Sequence, residues 1–127
     1  DRPDRATTEQ TVALASEWKK VAPNFGEYLA WSNISCSYWQ AEATGVPKEI
    51  TAEGAPTILV VGTVNDPATP YQWSQALASQ LASGVLLTLD GDGHTAYFQG
   101  SDCIDEIVDN FYLTGEADDG VICTDGP

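Results

Sequence analysis

The fold is decided by residues 57–94, which contain two short apolar runs and the polar loops that follow them. The first run reads TILVVG at 57–62 and the second reads VLLTL at 85–89. Such runs, with little polar alternation, are typical of strands buried on both faces of a parallel sheet. With one helix between them, they predict two parallel strands joined by a right-handed crossover.

The helix between the two strands has start and stop signals of its own. Thr69 suits the N-cap, Pro70 suits the first helical position, and Gln72 completes the pattern of a capping box. Gly84 is the expected end of this helix. The apolar positions that we expect to face the sheet are Trp73, Ala76, Leu77 and Leu81.

Another helix is predicted after the second strand, with Ser101 as its cap and Gly115 at its end. Acidic residues occupy its first turns, where the helix dipole favours them. Its apolar face consists of Ile104, Ile107, Val108 and Phe111. Strand, helix, strand and helix together form a βαβα unit over residues 55–115, which places the chain in the α/β class.

Residues 1–54 form the lead-in to this unit. A capping box between Thr7 and Gln10 predicts a helix that ends at Pro23. An aromatic-rich stretch follows at 28–39, and its mixed period does not define a conformation. We expect these aromatic side chains to be packed in a core rather than to form a ligand cage.

Two polar side chains follow the predicted strands, each in the loop after one of them. Asp66 follows the first strand, and His94, the only histidine in the chain, follows the second. Because the carboxyl ends of parallel strands meet at one edge of a sheet, we expect these side chains to lie close together. A carboxylate at one imidazole nitrogen fixes the tautomer and leaves the other nitrogen as a base. The pair therefore has the chemistry of the acid and base of an acyl-transfer triad.

The nucleophile of such a triad is missing from the sequence. Hydrolases with a nucleophile elbow carry their triad in the order Ser, Asp, His, and Asp66 precedes His94 here. No G-x-S-x-G motif occurs in the 127 residues, and Ser101, the nearest candidate, is interpreted as a helix cap. We expect the serine to lie upstream of Asp1, so that the chain is the carboxy-terminal segment of a larger enzyme.

Several motifs occur in a specific order along residues 55–113. They are PTILVVG at 56–62, NDPATP at 65–70, VLLTL at 85–89, GDGHT at 91–95 and Cys103-Ile104. A Cys-x-x-Trp segment, Cys36 to Trp39, precedes them, although no proline follows its tryptophan. In these features the sequence resembles the carboxy-terminal region of tripeptidyl-aminopeptidase-like α/β hydrolases of the secreted actinobacterial type.

This resemblance implies an exported serine hydrolase with an α/β-hydrolase fold, of which this chain supplies the carboxy-terminal part. It assigns the triad acid to Asp66 and the triad base to His94, and it places the nucleophile and the oxyanion hole outside the chain. It also implies substrates that are peptide amino termini or short peptides. The choice between an aminopeptidase and an esterase stays open.

Other interpretations of these loops carry less weight. Asp66 could serve only as a turn former before a proline, and Asp92 is a rival partner for His94. Asp90, Asp92 and His94 alternate like metal ligands, but an EF-hand needs glycine at its sixth position and glutamate at its twelfth. Thr95 and a serine stand there instead. We expect neither a metal nor a cofactor.

The cysteines suggest how the end of the chain is held. Residues 116–127 are acidic, and we expect them to form an irregular tail that a disulfide between Cys103 and Cys123 fixes to the last helix. Cys36 is then buried and free, or paired upstream; it lacks the setting of a nucleophile. Disulfides persist in exported proteins, which favours secretion or the cell surface. Three buried thiols in a cytosolic protein are the alternative.

The charge of the chain excludes some partners. It carries 19 acidic residues against 5 basic ones, a net charge of −14. All five basic residues lie within the first 48, so no basic patch is available for nucleic acid. An anionic membrane surface would also repel the chain. No apolar run approaches the roughly 20 residues that span a bilayer.

Two classes of function follow. In the first, the chain is the carboxy-terminal segment of an exported serine hydrolase that acts on a peptide or on a small ester or amide, and it is inactive alone. In the second, it is a non-catalytic binding or interaction domain with a hydrolase-like fold. In either case we expect the isolated chain to self-associate through an exposed edge of its short sheet.

Overall fold

A computed structural model describes residues 5–32 and 34–124. Its contacts separate into two units, one ending at Lys48 and the other beginning at Glu49. The elements in chain order are α1 (Thr8–Val21), α2 (Gly26–Trp31), α3 (Ile34–Ser37), β1 (Ile58–Asn65), α4 (Tyr71–Gln80), β2 (Gly84–Asp92), α5 (Asp102–Thr114) and β3 (Val121–Thr124). The division of the sequence at residues 54 and 115 stays a prediction. Within the described residues, no helix is long and apolar enough to cross a membrane.

The first unit is helical, and its first helix begins where the sequence predicts. The hydroxyl of Thr7 accepts from the backbone N–H of Gln10 at 3.2 Å. The side chain of Gln10 in turn accepts from the backbone N–H of Thr7 at 2.8 Å. The predicted capping box is therefore confirmed, and α1 ends at Val21, just before Pro23.

The aromatic stretch of the first unit is not a core, so this expectation is wrong. Tyr28, Tyr38 and Trp39 are largely exposed, and the buried side chains are small ones such as Ala15 and Ala30. The helices α2 and α3 are too short to bury a continuous apolar face. The ring of Tyr28 in α2 and the rings of Tyr38 and Trp39, which follow α3, consequently remain exposed.

The second unit contains a parallel sheet of three strands in the order β1, β2, β3. The two predicted strands are confirmed, and both extend further, to Asn65 and Asp92. The register pairs Ile58 with Gly84 and Thr63 with Leu89, and it becomes irregular between Thr63 and Asn65. A polar residue such as Thr63 continues the strand because its hydroxyl is hydrogen-bonded in the interior.

The irregular tail predicted after residue 115 is wrong for residues 121–124, which form β3. Leu87 of β2 is paired with Val121, and Leu89 is paired with Cys123. The turn before β3 is fixed by Asp119, whose carboxylate accepts from the backbone N–H of Leu86 at 2.8 Å. The sequence does not indicate β3, because four residues are too few to show a strand period and acidic residues stand on both sides of them.

The core of the second unit lies between the sheet and α5, so the prediction for this helix is confirmed. Ile104 and Val108 of α5 are buried against Leu87 and Leu89 of β2, with Ala96 and Cys123 completing the cluster. The helix ends as predicted at Gly115, whose φ of 75° is left-handed. Ser101 is the N-cap residue, but its hydroxyl does not cap the helix.

The predicted face of α4 is largely wrong. Trp73 and Leu77 are 64% and 44% exposed, and Ala76 is exposed as well. Of the predicted face only Leu81 is half-buried, and the buried residue of the helix is Ala78, which was not predicted. The reason is the close approach of the helix to β1, because a Cβ atom at Gly62 would lie 2.7 Å from the Cβ of Ser74. Only small or flat side chains fit at this distance, which turns the larger apolar residues outward.

Candidate active site

The carboxyl edge of the sheet brings Asp66 and His94 together. Asp66 directly follows β1, which ends at Asn65, and His94 follows β2, which ends at Asp92. The Nδ1 atom of His94 lies 3.0 Å from Oδ2 and 3.1 Å from Oδ1 of Asp66. The contact expected between the two side chains is therefore present, and the carboxylate at Nδ1 belongs to Asp66.

The carboxylate of Asp66 is held by a tight turn. Its Oδ1 accepts from the backbone N–H groups of Ala68 at 2.8 Å and of Thr69 at 2.9 Å. Its Oδ2 accepts from the hydroxyl of Thr69 at 2.7 Å and from the backbone N–H of Thr95 at 3.4 Å. The turn thus orients the carboxylate, so forming the turn does not prevent Asp66 from contacting His94.

Thr69 does not have the role predicted from the sequence. The N-cap of α4 is Pro70, and no side chain caps this helix, so the predicted capping box with Gln72 is wrong. The hydroxyl of Thr69 instead donates to Asp66, three residues earlier in the same turn. A hydroxyl bonded to a buried carboxylate is worth more than one bonded to an exposed backbone group.

The hydrogen bonds keep Asp66 ionised. Burial of its side chain, which is 4% exposed, acts to raise the pKa of the carboxyl. The bonds from the backbone and hydroxyl of Thr69, from Ala68 and from His94 outweigh burial and hold the pKa well below its ordinary value. Because Asp66 can only accept, the neutral imidazole must carry its proton on Nδ1 and leave Nε2 as an acceptor.

The imidazole of His94 is exposed, whereas the carboxylate of Asp66 is buried. The side chain of His94 is 53% exposed. With Nδ1 occupied by the buried carboxylate, Nε2 is the nitrogen available to a group outside the described residues. The arrangement can therefore take up a proton at Nε2 and stabilise the resulting imidazolium through Asp66.

The backbone on both sides of His94 is unusual. Gly93 has a φ of 123°, and Thr95 has a φ of 69°. The carbonyl of Thr95 accepts from the hydroxyl of Thr63 at 3.0 Å. Sequence reasoning missed the roles of Thr63 and Thr95, and the only signal for Thr63 is a hydroxyl within the run ILVVGTV, whose other side chains are aliphatic.

The disulfide predicted between Cys103 and Cys123 is present, with 5.8 Å between the Cα atoms. It joins the first turn of α5 to β3, beside the strand that leads to His94. Cys36 is free and exposed. The expectation that it is buried is wrong, because α3 buries none of its residues, whereas pairing with an upstream cysteine stays a prediction.

The arrangement of possible metal ligands can be examined in the described residues. In residues 5–32 and 34–124, no group of three or more His, Cys, Asp or Glu side chains is arranged to hold a metal ion. Within the loop that carries His94, the imidazole instead contacts a carboxylate that four protein donors already hold in place.

Most of the chain matches a known protein family. Residues 22–123 match the model of a family described as TAP-like protein. The chain belongs to the TAP-like family of α/β hydrolases. This confirms the resemblance that the motifs indicated, and it agrees with the parallel sheet and flanking helices of this chain, which confirm the predicted fold class.

Several relatives of this TAP-like chain bear names of hydrolases. It is 37% identical over 118 residues to carboxylesterase B of Mycobacterium tuberculosis strain H37Rv. It is 35% identical over 118 residues to serine protease Hip1 of the same strain. It is 31% identical over 90 residues to a tripeptidyl aminopeptidase of Streptomyces lividans.

The matches cover most of this chain but little of each relative. The first two include 91% of the chain and 22% of the relative. The third includes 70% of the chain and 17% of the relative. The TAP-like chain therefore spans less than a quarter of the length of these relatives.

Proposed function

We propose that His94 is the general base and Asp66 its orienting acid in the Ser-His-Asp triad of a serine hydrolase. The observation that carries this proposal is the contact of Nδ1 with both carboxylate oxygens, at 3.0 and 3.1 Å, at the carboxyl edge of a parallel sheet. The buried acid and the open base support it further. This is the arrangement in which an imidazole activates a hydroxyl.

The reaction proceeds in two halves. Nε2 of His94 takes the proton of the serine hydroxyl as the oxygen attacks the substrate carbonyl, and Asp66 stabilises the imidazolium while keeping its own charge. The same proton passes from Nε2 to the leaving amine or alcohol, which departs and leaves an acyl-enzyme. Water then attacks the acyl carbonyl while Nε2 of His94 takes its proton, and Nε2 returns this proton to the serine oxygen as the acyl–serine bond breaks and the acid product leaves.

In this proposal the serine and the oxyanion donors belong to the parent protein outside this chain. Two observations support it. The 127 residues contain no G-x-S-x-G motif. Relatives with hydrolase names are several times longer, since the matched part is 22% of carboxylesterase B. The isolated chain is then inactive toward peptides and esters.

The substrate class that we propose is the peptide amino terminus, and the location is outside the cytoplasm. The 31% identity to a tripeptidyl aminopeptidase supports the first, while the name carboxylesterase B keeps small esters as the competing class. The disulfide between Cys103 and Cys123 supports export, because such bonds persist in oxidising compartments.

The decisive experiment compares His94→Ala with the unchanged sequence in the full-length parent protein. The expected result is a loss in kcat of about 10⁴-fold or more, with the folded fraction unchanged. Gln99→Ala, an exposed change in the same loop, is the matched control and should keep its activity. If His94→Ala retains full hydrolase activity, the proposal is wrong and a non-catalytic domain is favoured.

Two further measurements test the location of the nucleophile and the substrate class. A serine-directed phosphonate should label the parent protein but not this chain; labelling of the chain would place a nucleophile within it. If the parent protein is an aminopeptidase, acetylation of the amino terminus of a tripeptide amide substrate should abolish its turnover. Equal turnover of free and acetylated peptides would instead favour an endopeptidase.

A further inference from the structure

The residue after the proposed base has a costly backbone conformation. Thr95 has a φ of 69°, in the left-handed region that glycine favours and β-branched residues avoid. Such a conformation persists only where the surrounding structure enforces it. His94 and Thr95 are joined by one rigid peptide group. Contacts that fix the backbone of Thr95 therefore also fix the Cα atom from which the side chain of His94 extends.

Both peptide groups of Thr95 are held by residues at the end of β1. The carbonyl accepts from the hydroxyl of Thr63 at 3.0 Å, and the N–H donates to Asp66 at 3.4 Å. Thr63 is itself only 2% exposed and is paired in register with Leu89. Residues at and just after the end of β1 therefore hold the His94 loop through both the N–H and the carbonyl of Thr95.

The hydroxyl of Thr63 lies where packing alone favours an aliphatic side chain. The preceding residues of β1 read ILVV, followed by Gly62. Valine has nearly the shape of threonine and forms strands equally well, so shape does not require a hydroxyl there. A buried hydroxyl costs free energy unless it is hydrogen-bonded, and this one is bonded to Thr95.

We propose that Thr63 is a positioning residue that holds His94 in its productive orientation through the carbonyl of Thr95. This inference rests on the proposed function of His94. It explains how acid and base are kept in one geometry, because Thr63 and Asp66 come from the same end of β1, three residues apart. The end of β1 thus leads into the turn that orients Asp66, and through Thr95 it also holds the loop that carries His94.

The test uses the full-length parent protein and the nearly isosteric change Thr63→Val. We expect kcat to fall about 10- to 100-fold, the size of effect that a misplaced catalytic group produces, with little change in KM. The rate of phosphonate labelling per folded molecule should fall by the same factor. Thr63→Ser, which keeps the hydroxyl, should restore most of both.

Thr88→Val is the matched control. Thr88 is 4% exposed, lies in the neighbouring strand opposite Gly62, and its hydroxyl contacts that of Tyr71 at 2.7 Å. The change therefore removes a buried hydroxyl from the same sheet without touching the His94 loop. We expect kcat per folded molecule to change less than about twofold.

A double variant shows whether Thr63 acts through His94. In a His94→Ala background, Thr63→Val should cause no further loss of the residual activity, because residues that act as a unit are not additive. An additional loss as large as that in the unchanged background would overturn the positioning role.

The remaining outcomes separate this inference from the proposed function. Unchanged kcat in Thr63→Val, together with an inactive His94→Ala, would overturn the inference and leave the function standing. Equal losses in Thr63→Val and Thr88→Val would show a structural role only and would also overturn it. An active His94→Ala would overturn the proposed function itself. If Thr63→Val does not fold, Thr63→Ala is judged by the same criteria.

Discussion

The imidazole of His94 faces a carboxylate, that of Asp66, with its Nδ1 atom nearly equidistant from the two oxygens at 3.0 and 3.1 Å. Four other protein donors hold the same carboxylate, so its position does not depend on the histidine. The carboxylate is fixed by these donors, and the imidazole is oriented against it. This asymmetry determines how the two residues should respond to mutation.

Asp66→Asn in the parent protein should lower kcat by about 10⁴-fold, because an amide can present a donor to Nδ1 and favour the wrong imidazole tautomer. Steady-state kinetics of the parent protein measure the effect. Asp92→Asn is the control, since Asp92 is the rival carboxylate of the same loop. A larger loss in Asp92→Asn than in Asp66→Asn would show that the partner is misassigned.

Acid should destabilise the isolated chain partly through Asp66. Its folded pKa is lowered, so its stabilising contribution is present above the unfolded pKa of about 3.9 and is lost as pH falls toward the lower folded value. Thermal unfolding between pH 2 and pH 7 should therefore show a steeper loss below about pH 4 for the unchanged chain than for Asp66→Asn. Parallel curves would contradict the lowered pKa.

Removing the disulfide by Cys103→Ser with Cys123→Ser should lower the free energy of unfolding by about 3 kcal/mol, as expected for a closed loop of about 20 residues. Denaturant unfolding measures this loss. Amide exchange should become faster in β3 first, because the bond joins that strand to α5. Cys36→Ser changes an exposed free thiol and should shift stability by less than about 0.5 kcal/mol. A comparable loss in the Cys36 variant would contradict this prediction.

The isolated chain should self-associate in solution. Among the described residues β1 is paired with β2 alone, so its other edge presents free backbone groups, and Trp73 and Leu77 expose apolar surface on the neighbouring α4. Sedimentation velocity should show species larger than a monomer that increase with concentration. Trp73→Gln should weaken the association. A strictly monomeric chain at high concentration would contradict the prediction.

The strands β1 and β2 and the helix α5 were predictable because the pattern of apolar residues within each of them is enough to identify it. The apolar run at 57–62 has no polar interruption, and Ile104 and Val108 recur at helical spacing. The meeting of Asp66 with His94 followed from the rule that loops at one edge of a parallel sheet share a site. These features depend on local pattern and topology, both of which a sequence displays.

The orientation of α4 and the existence of β3 could not be predicted, because both depend on distances between elements. Gly62 lets α4 approach so closely that Ser74 rather than Trp73 faces the sheet. In β3 four residues gain their structure from pairing with β2. The bond from Thr63 to Thr95 was invisible for the same reason, since 32 residues separate its partners.

Because Thr63 and Asp66 share the end of β1, folding errors in this sheet have a specific signature. A slip of β1 along β2 by one residue would displace Asp66 by about 3.3 Å and turn the hydroxyl of Thr63 to the opposite face. Such a misregistered molecule would keep its helices and its strand content yet lose both supports of the imidazole. A kcat calculated from the total concentration of folded protein would therefore be too low by the fraction of molecules in the wrong register.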